Sequence, residues 1–75
     1  MQPVRLPDLG ETDGVIIVEW FKSEGDAVQA GEELVEVETA KTTFVVEAPS
    51  DGRLVRIRLQ EGECAKQNDI LAEVE

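Results

Sequence analysis

Histidine and tyrosine are absent from this 75-residue chain, and cysteine, methionine and tryptophan occur once each. Without an imidazole there is no Ser-His or Cys-His pair to activate a nucleophile, and no mixed thiolate and imidazole set to hold a metal. Cys64 has no second cysteine to bond within the chain, so packing must hold the fold, and the missing staple points to a reducing compartment. With no base to activate it, the thiol reads as a packing or surface residue. The acidic residues lack the Asp-x-Asp-x-Asp-Gly spacing of a calcium loop. No run approaches the ~18 apolar residues of a membrane span. The first residues lack the basic-then-apolar layout of a secretory signal. A soluble, cytoplasmic domain without a membrane partner is the expectation.

Positive charge is scarce as well. Seven basic residues stand against 17 acidic ones, a formal net charge of −10. Nucleic acid is therefore not an expected partner, because phosphate binding needs clustered Lys and Arg. The only basic cluster is Arg53, Arg56 and Arg58, and the last two are spaced as on one solvated strand face. Strong acidity favours solubility and steers a domain toward positively charged partner surfaces.

What the chain does have is short β-branched segments between turns. Val15-Ile16-Ile17-Val18 and Phe44-Val45-Val46 are apolar runs, Val35 and Val37 alternate with Glu36 and Glu38, and Val55, Ile57 and Leu59 alternate with Arg56 and Arg58. Turn chemistry separates them at Asp13-Gly14, Glu24-Gly25-Asp26, Ala30-Gly31-Glu32, Pro49-Ser50-Asp51-Gly52, Glu61-Gly62-Glu63 and Gln67-Asn68-Asp69. No segment of about ten residues keeps a helical apolar period free of glycine. The class is all-β, in one small domain, with Val35, Val37 and Val74 assigned to its core.

The chain also repeats itself. A shift of 37 positions lays Glu24-Gly25-Asp26 on Glu61-Gly62-Glu63 and Leu34-Val35-Glu36-Val37-Glu38 on Leu71-Ala72-Glu73-Val74-Glu75, with Gly31 meeting Asn68. After a one-residue gap, Gly14 through Phe21 echoes Gly52 through Leu59. Two copies are too few for a solenoid. The repeat predicts half-domains at 14–38 and 52–75, two similar four-stranded halves burying their apolar faces against each other. The result is a flattened β-barrel or sandwich of two antiparallel sheets with quasi-two-fold symmetry.

Lys41 lies where the halves join. It is the only basic residue between Lys22 and Arg53, it has no counterpart in the repeat, and symmetry places it at the end opposite the chain termini. A short turn between a Val-Glu alternation and Phe44-Val45-Val46 is a tight hairpin, which presents a side chain rigidly.

These motifs together resemble a lipoyl domain of the biotinyl/lipoyl-carrier family, over essentially the whole chain. Leu6-Pro7-Asp8-Leu9-Gly10-Glu11 is similar to the opening of such domains in dihydrolipoyl acyltransferases. Val18-Glu19-Trp20, Glu24-Gly25-Asp26, Val35-Glu36-Val37-Glu38-Thr39, Ala48-Pro49 and Asp51-Gly52 follow in the family's order. The family's fold is a flattened two-sheet barrel with the modified lysine at the inter-half hairpin, commonly within Glu-Thr-Asp-Lys-Ala. Here that segment is Glu38-Thr39-Ala40-Lys41-Thr42. The resemblance implies lipoate in amide linkage to Lys41, with Glu38, Thr39, Ala40 and Thr42 as flanking recognition residues. Ala40 and Thr42 replace the usual Asp and Ala, and the loop from Leu9 to Trp20 is about one residue short. Both departures bear on partner choice more than on attachment.

The implied role is a carrier, not a catalyst. Its arm would visit a thiamine-dependent 2-oxo acid dehydrogenase, an acyltransferase core and the flavoprotein dihydrolipoyl dehydrogenase, after loading by a lipoate ligase or lipoyl transferase. Tethering raises the effective concentration of the cargo at each site. The isolated domain is expected to be monomeric. Biotin carriage is the nearest alternative, but biotinyl domains usually set their lysine in Met-Lys-Met, and the only Met here is Met1. An unmodified module of the same fold, as in membrane-fusion proteins, lacks this opening motif, and a free-standing enzyme would need a catalytic set that the chain does not contain.

Overall fold

In the computed structural model, residues 2–6, 14–66 and 69–75 are described. The motif residues from Pro7 to Glu11, the start of the loop that follows, and the turn residues Asp13, Gln67 and Asn68 lie outside them. The described residues form eight strands in chain order: β1 (Gln2–Arg5), β2 (Val15–Trp20), β3 (Ala27–Val28), β4 (Glu33–Glu38), β5 (Thr43–Glu47), β6 (Gly52–Ile57), β7 (Cys64–Ala65) and β8 (Ile70–Val74). Among the described residues there is no helix.

The strands form two four-stranded sheets, ordered β1-β8-β6-β3 and β5-β4-β2-β7. Every pairing is antiparallel. Exchanging β1 with β5, β2 with β6, β3 with β7 and β4 with β8 turns one sheet order into the other. Neither sheet is one half of the chain, however, which corrects the picture of two self-contained halves. The short β3 leaves the first half to pair with β6, and β7 leaves the second to pair with β2. Two residues make too little ladder to sit alone, so each short strand extends the longer strand of the other half.

Hydrogen bonds follow the same 37-residue shift. The Ile17 N–H donates to the Glu63 carbonyl, and the Leu54 N–H to the Asp26 carbonyl. Turn carboxylates repeat too: Asp26 accepts from the Ser23 N–H as Glu63 does from Gln60, and Glu32 accepts from Gln29 as Asp69 does from Lys66. Across the halves, Glu24 accepts from the Ile57 N–H and Glu61 from the Trp20 N–H. Part of the acidity is thus structural, since carboxylates satisfy backbone donors that the turns leave unpaired.

Between the sheets lies a core of Val, Leu, Ile and Ala, and among the described residues no polar side chain is buried in it. Val35, Val37 and Val74 are fully buried, as assigned. The inward face of β6 differs from the simple alternation. Leu54 is fully buried while Val55 is half-buried, because the register shifts between Leu54 and Arg56. The matching shift in β2 falls between Ile17 and Glu19. In β4 a further irregularity between Glu33 and Val35 turns both Leu34 and Val35 inward. Bulges reset the in-out phase, which a strict period of two does not register.

Candidate functional site

Lys41 stands in the connection between β4 and β5, and its side chain is exposed. The closing rung below it is Glu38 opposite Thr43. Two-residue hairpin loops favour types I′ and II′, which need a positive φ at the first loop residue. No described non-glycine residue has one, so the Ala40-Lys41 turn is neither. Thr39 compensates with its side chain. The Thr39 N–H donates to the Thr42 carbonyl at 2.7 Å. In place of a return backbone bond, the Thr39 hydroxyl donates to the same carbonyl at 3.0 Å and accepts the N–H groups of Lys41 at 3.2 Å and Thr42 at 3.1 Å. One hydroxyl thereby uses its single donor and both acceptor positions.

The flanking residues divide by role. Ala40 and Thr42 are exposed beside the lysine, and the Thr42 hydroxyl turns back to the Thr43 carbonyl at 3.2 Å. Glu38 is exposed at the end of β4. Thr39, half-buried, fixes the loop backbone. Sequence reasoning placed it only in the recognition set; the signal available was its position just before a two-residue loop, where a hydroxyl can act as a local cap.

The tip lies far from the chain termini. From Thr43, β5 runs to Glu47, and the next carbonyl, of Ala48, accepts the Gly31 N–H. Close by, Val28 pairs with Gly52, and the Glu75 N–H donates to the Arg53 carbonyl. Glu75 therefore sits at the end of the barrel that β5 reaches, while Lys41 sits at the end it leaves.

The other two lysines are placed differently. Lys22 pairs with Glu32 at 2.8 Å, and their hydrogen bond raises the lysine above its ordinary range and lowers the carboxyl. Lys66 gives its backbone N–H to Asp69 in the turn before β8. The Lys41 ammonium makes no hydrogen bond or ion pair with any described residue. An open groove does exist, lined by Trp20, Lys22, Glu24, Ile57 and Glu61, but it sits at the opposite end of β2 from the tip. A group attached at Lys41 would thus project from a rigid, exposed apex, not into a pocket. Amide formation needs only that: an accessible amine on a turn an attaching enzyme can grip. The site fits a long covalently held acid.

Among the described residues no cluster of His, Cys, Asp and Glu is arranged to hold a metal, and no helix is long and apolar enough to cross a membrane.

Comparison with known proteins gives a consistent set of similarities. Residues 2–74 match the family described as "Biotin-requiring enzyme". The chain is 41% identical over 73 residues to the dihydrolipoyllysine-residue succinyltransferase component of the 2-oxoglutarate dehydrogenase complex of Bartonella vinsonii, covering 96% of this chain and 18% of that protein. It thus spans less than a fifth of the length of that curated relative. Its fold superposes on the solution structure of the lipoyl domain of the 2-oxoglutarate dehydrogenase complex from Azotobacter vinelandii with a TM-score of 0.82 and 26% identity, covering all of this chain and 96% of that one. A single-chain, multi-domain long-chain acyl-CoA carboxylase is also similar, with a TM-score of 0.77 and 28% identity over 95% of this chain and 6% of that one.

Proposed function

The chain belongs to the biotinyl/lipoyl attachment family, and from that premise we propose that residues 1–75 are one lipoyl carrier domain, with half-repeats 14–38 and 52–75 and lipoate held on the Nζ of Lys41. The observation that carries this is the hairpin apex: an exposed, unpaired lysine ammonium on a turn whose backbone Thr39 fixes. A carrier needs a rigid stem and a free amine. Lipoate bound there supplies a disulfide on a long arm able to carry acyl groups and electrons. The domain itself is not a catalyst. Its residues hold the attachment point outward, and amide formation removes the positive charge of Lys41.

The relatives, components of 2-oxo acid dehydrogenase complexes, support a set of partners for the arm. A lipoate ligase or lipoyl transferase would load Lys41, and a thiamine-dependent 2-oxo acid dehydrogenase, an acyltransferase core and dihydrolipoyl dehydrogenase would share the arm. Similarity to a succinyltransferase component and to a lipoyl domain of 2-oxoglutarate dehydrogenase complexes supports a complex of that type. Glu38, Ala40 and Thr42 surround the attachment point where any of these must approach. Biotin is the alternative, supported by the carboxylase neighbour. Against it stand Ala40 and Thr42, where biotinyl domains carry methionine.

Incubation with lipoate ligase, ATP and lipoate, followed by intact mass and peptide mapping, tests the assignment. One lipoyl addition on the Lys41 peptide is expected, and none in Lys41→Arg. Addition on Lys22 or Lys66 would refute it, and modification by biotin ligase alone would favour the biotin reading.

A further inference from the structure

The groove at Trp20 lies at the far end of β2, so the surface that a group attached at Lys41 meets first is the outer face of the sheet below the hairpin. Ile16 stands out there, 45% exposed between the buried Val15 and Ile17. It lies directly opposite Glu38, and Glu38 opposite Thr43 is the rung that closes the hairpin. On its other side Ile16 faces Cys64, the exposed first residue of β7. Val45, half-buried, lies in the next outward row opposite Glu36, and Val18, 40% exposed, follows Ile16 along β2. Alternation turns these side chains outward, since Ile17, Val37 and Val46 point into the core.

Reach decides what can cover this surface. Strands about 4.8 Å apart and a rise of about 3.3 Å per residue put the Ile16 backbone within roughly 12 Å of the Lys41 backbone, and Val45 about as far. A lysine side chain lengthened by a lipoyl group spans roughly 14 Å, taking its single bonds at about 1.5 Å. Such an arm bends back onto Ile16 and Val45, and it falls short of Trp20 at the end of β2.

Charge limits what the patch accepts. Glu19, Glu33, Glu36, Glu38 and Glu47 all lie in this sheet, and no Lys or Arg occurs in β2, β4, β5 or β7, whereas Arg5, Arg53 and Arg56 lie in the other sheet. Glu38 is directly beside Ile16, and Glu36 directly beside Val45. Lys66, just past β7, is a single cation near them, and Asp69 accepts its backbone N–H. Amide formation removes the positive charge of Lys41 at the apex itself. A neutral aliphatic chain sheds water against isoleucine and valine without electrostatic cost, whereas a carboxylate at its end meets like charges and gives up hydration.

Resting on the carrier reading, we propose that Ile16 and Val45, with Val18 at the margin, form a resting place for the domain's own lipoyl arm, which an uncharged arm occupies and an arm bearing a carboxylate leaves. The contact holds the dithiolane against the sheet between partners. An acyl group that carries a carboxylate, as the similarity to a succinyltransferase component supports, frees the arm once it is loaded.

Methyl-edited nuclear magnetic resonance tests this on a variant that needs no ligase. The double substitution Lys41→Cys, Cys64→Ser leaves one thiol, at the apex. Alkylation there by N-hexyl iodoacetamide builds an uncharged arm of similar length, and its analogue ending in a carboxylate builds a charged one. With the hexyl arm, the Ile16 and Val45 methyl signals are expected to shift and to show Overhauser contacts with the arm's methylenes. Adding Ile16→Asn should abolish the Val45 shift. With the carboxylate arm the contacts should be lost, and they should return in Glu36→Gln, Glu38→Gln. Shifts confined to Thr39 through Thr43 with the hexyl arm overturn the resting place, and equal contacts from both arms overturn its charge selection. Wild type loaded by lipoate ligase should show the same Ile16 shift. Failure of the ligase to load Lys41 overturns the carrier reading alone, because the alkylated variant reads the resting place either way.

Discussion

Thr39 holds the Lys41 turn through one hydroxyl that donates to the Thr42 carbonyl and accepts two backbone N–H groups. A side chain of the same shape without that hydroxyl leaves those donors to solvent and lets the apex move. Thr39→Val is therefore expected to cost about 1 kcal/mol of stability and to slow lipoylation by ligase several-fold, whereas Thr39→Ser should stay near wild type in both. Denaturant melts and initial ligation rates on the three proteins check this. Equal rates for Thr39→Val and wild type would mean that turn rigidity does not matter for attachment. Lys41 itself is different: its exposed side chain touches nothing that holds the fold, so Lys41→Ala should change stability by less than about 0.5 kcal/mol.

At the scale of elements, the close approach of β6 to the end of the chain is the tightest constraint. A Cβ on Gly52 would collide with the Glu75 carbonyl oxygen and lie 3.1 Å from Val74. Backbone on one side and a buried valine on the other leave no room to shift. Gly25 makes the contrast, because its φ of +96° is also positive but a Cβ there meets nothing within 4 Å. Gly25→Ala should cost only the strain of its backbone, about 1 kcal/mol, while Gly52→Ala should cost more than ~3 kcal/mol by parting β6 from β8. Thermal melts of the two variants decide it, and similar losses would show that strain, not packing, governs both sites.

For the molecule as a whole, the exchange of β3 and β7 between halves removes any independently stable half. Each sheet needs strands from both sides of Lys41. Unfolding should be a single transition, with Trp20 fluorescence and far-ultraviolet circular dichroism coincident. Val37→Ala in one sheet and Val74→Ala in the other should each lower the stability of that one transition by ~1 to 3 kcal/mol. Two separated transitions, or a folded fragment ending before Lys41, would contradict the interleaved architecture.

The five longer strands β2, β4, β5, β6 and β8 and the turns at Gly25, Gly31 and Gly62 were legible in the sequence because β-branched runs, Gly-centred turns and the 37-residue repeat are local signals, whereas β1 and the two-residue β3 and β7 carry no such run. The same signals placed Lys41 at a hairpin and Val35, Val37 and Val74 inside. The burial of Leu34 and Leu54 was not legible, since each depends on a bulge that resets the inward face only once a partner strand sets the register. Nor was the service of Thr39 to the turn, which arises because the loop lacks the positive φ that backbone closure prefers. Most of all, the division of charge between sheets was hidden: Arg56 and Glu36 are each one charge among many along the chain. Only strand pairing gathers Arg5, Arg53 and Arg56 in one sheet and five glutamates in the other. Composition determines that this chain is acidic, but the fold decides which face is.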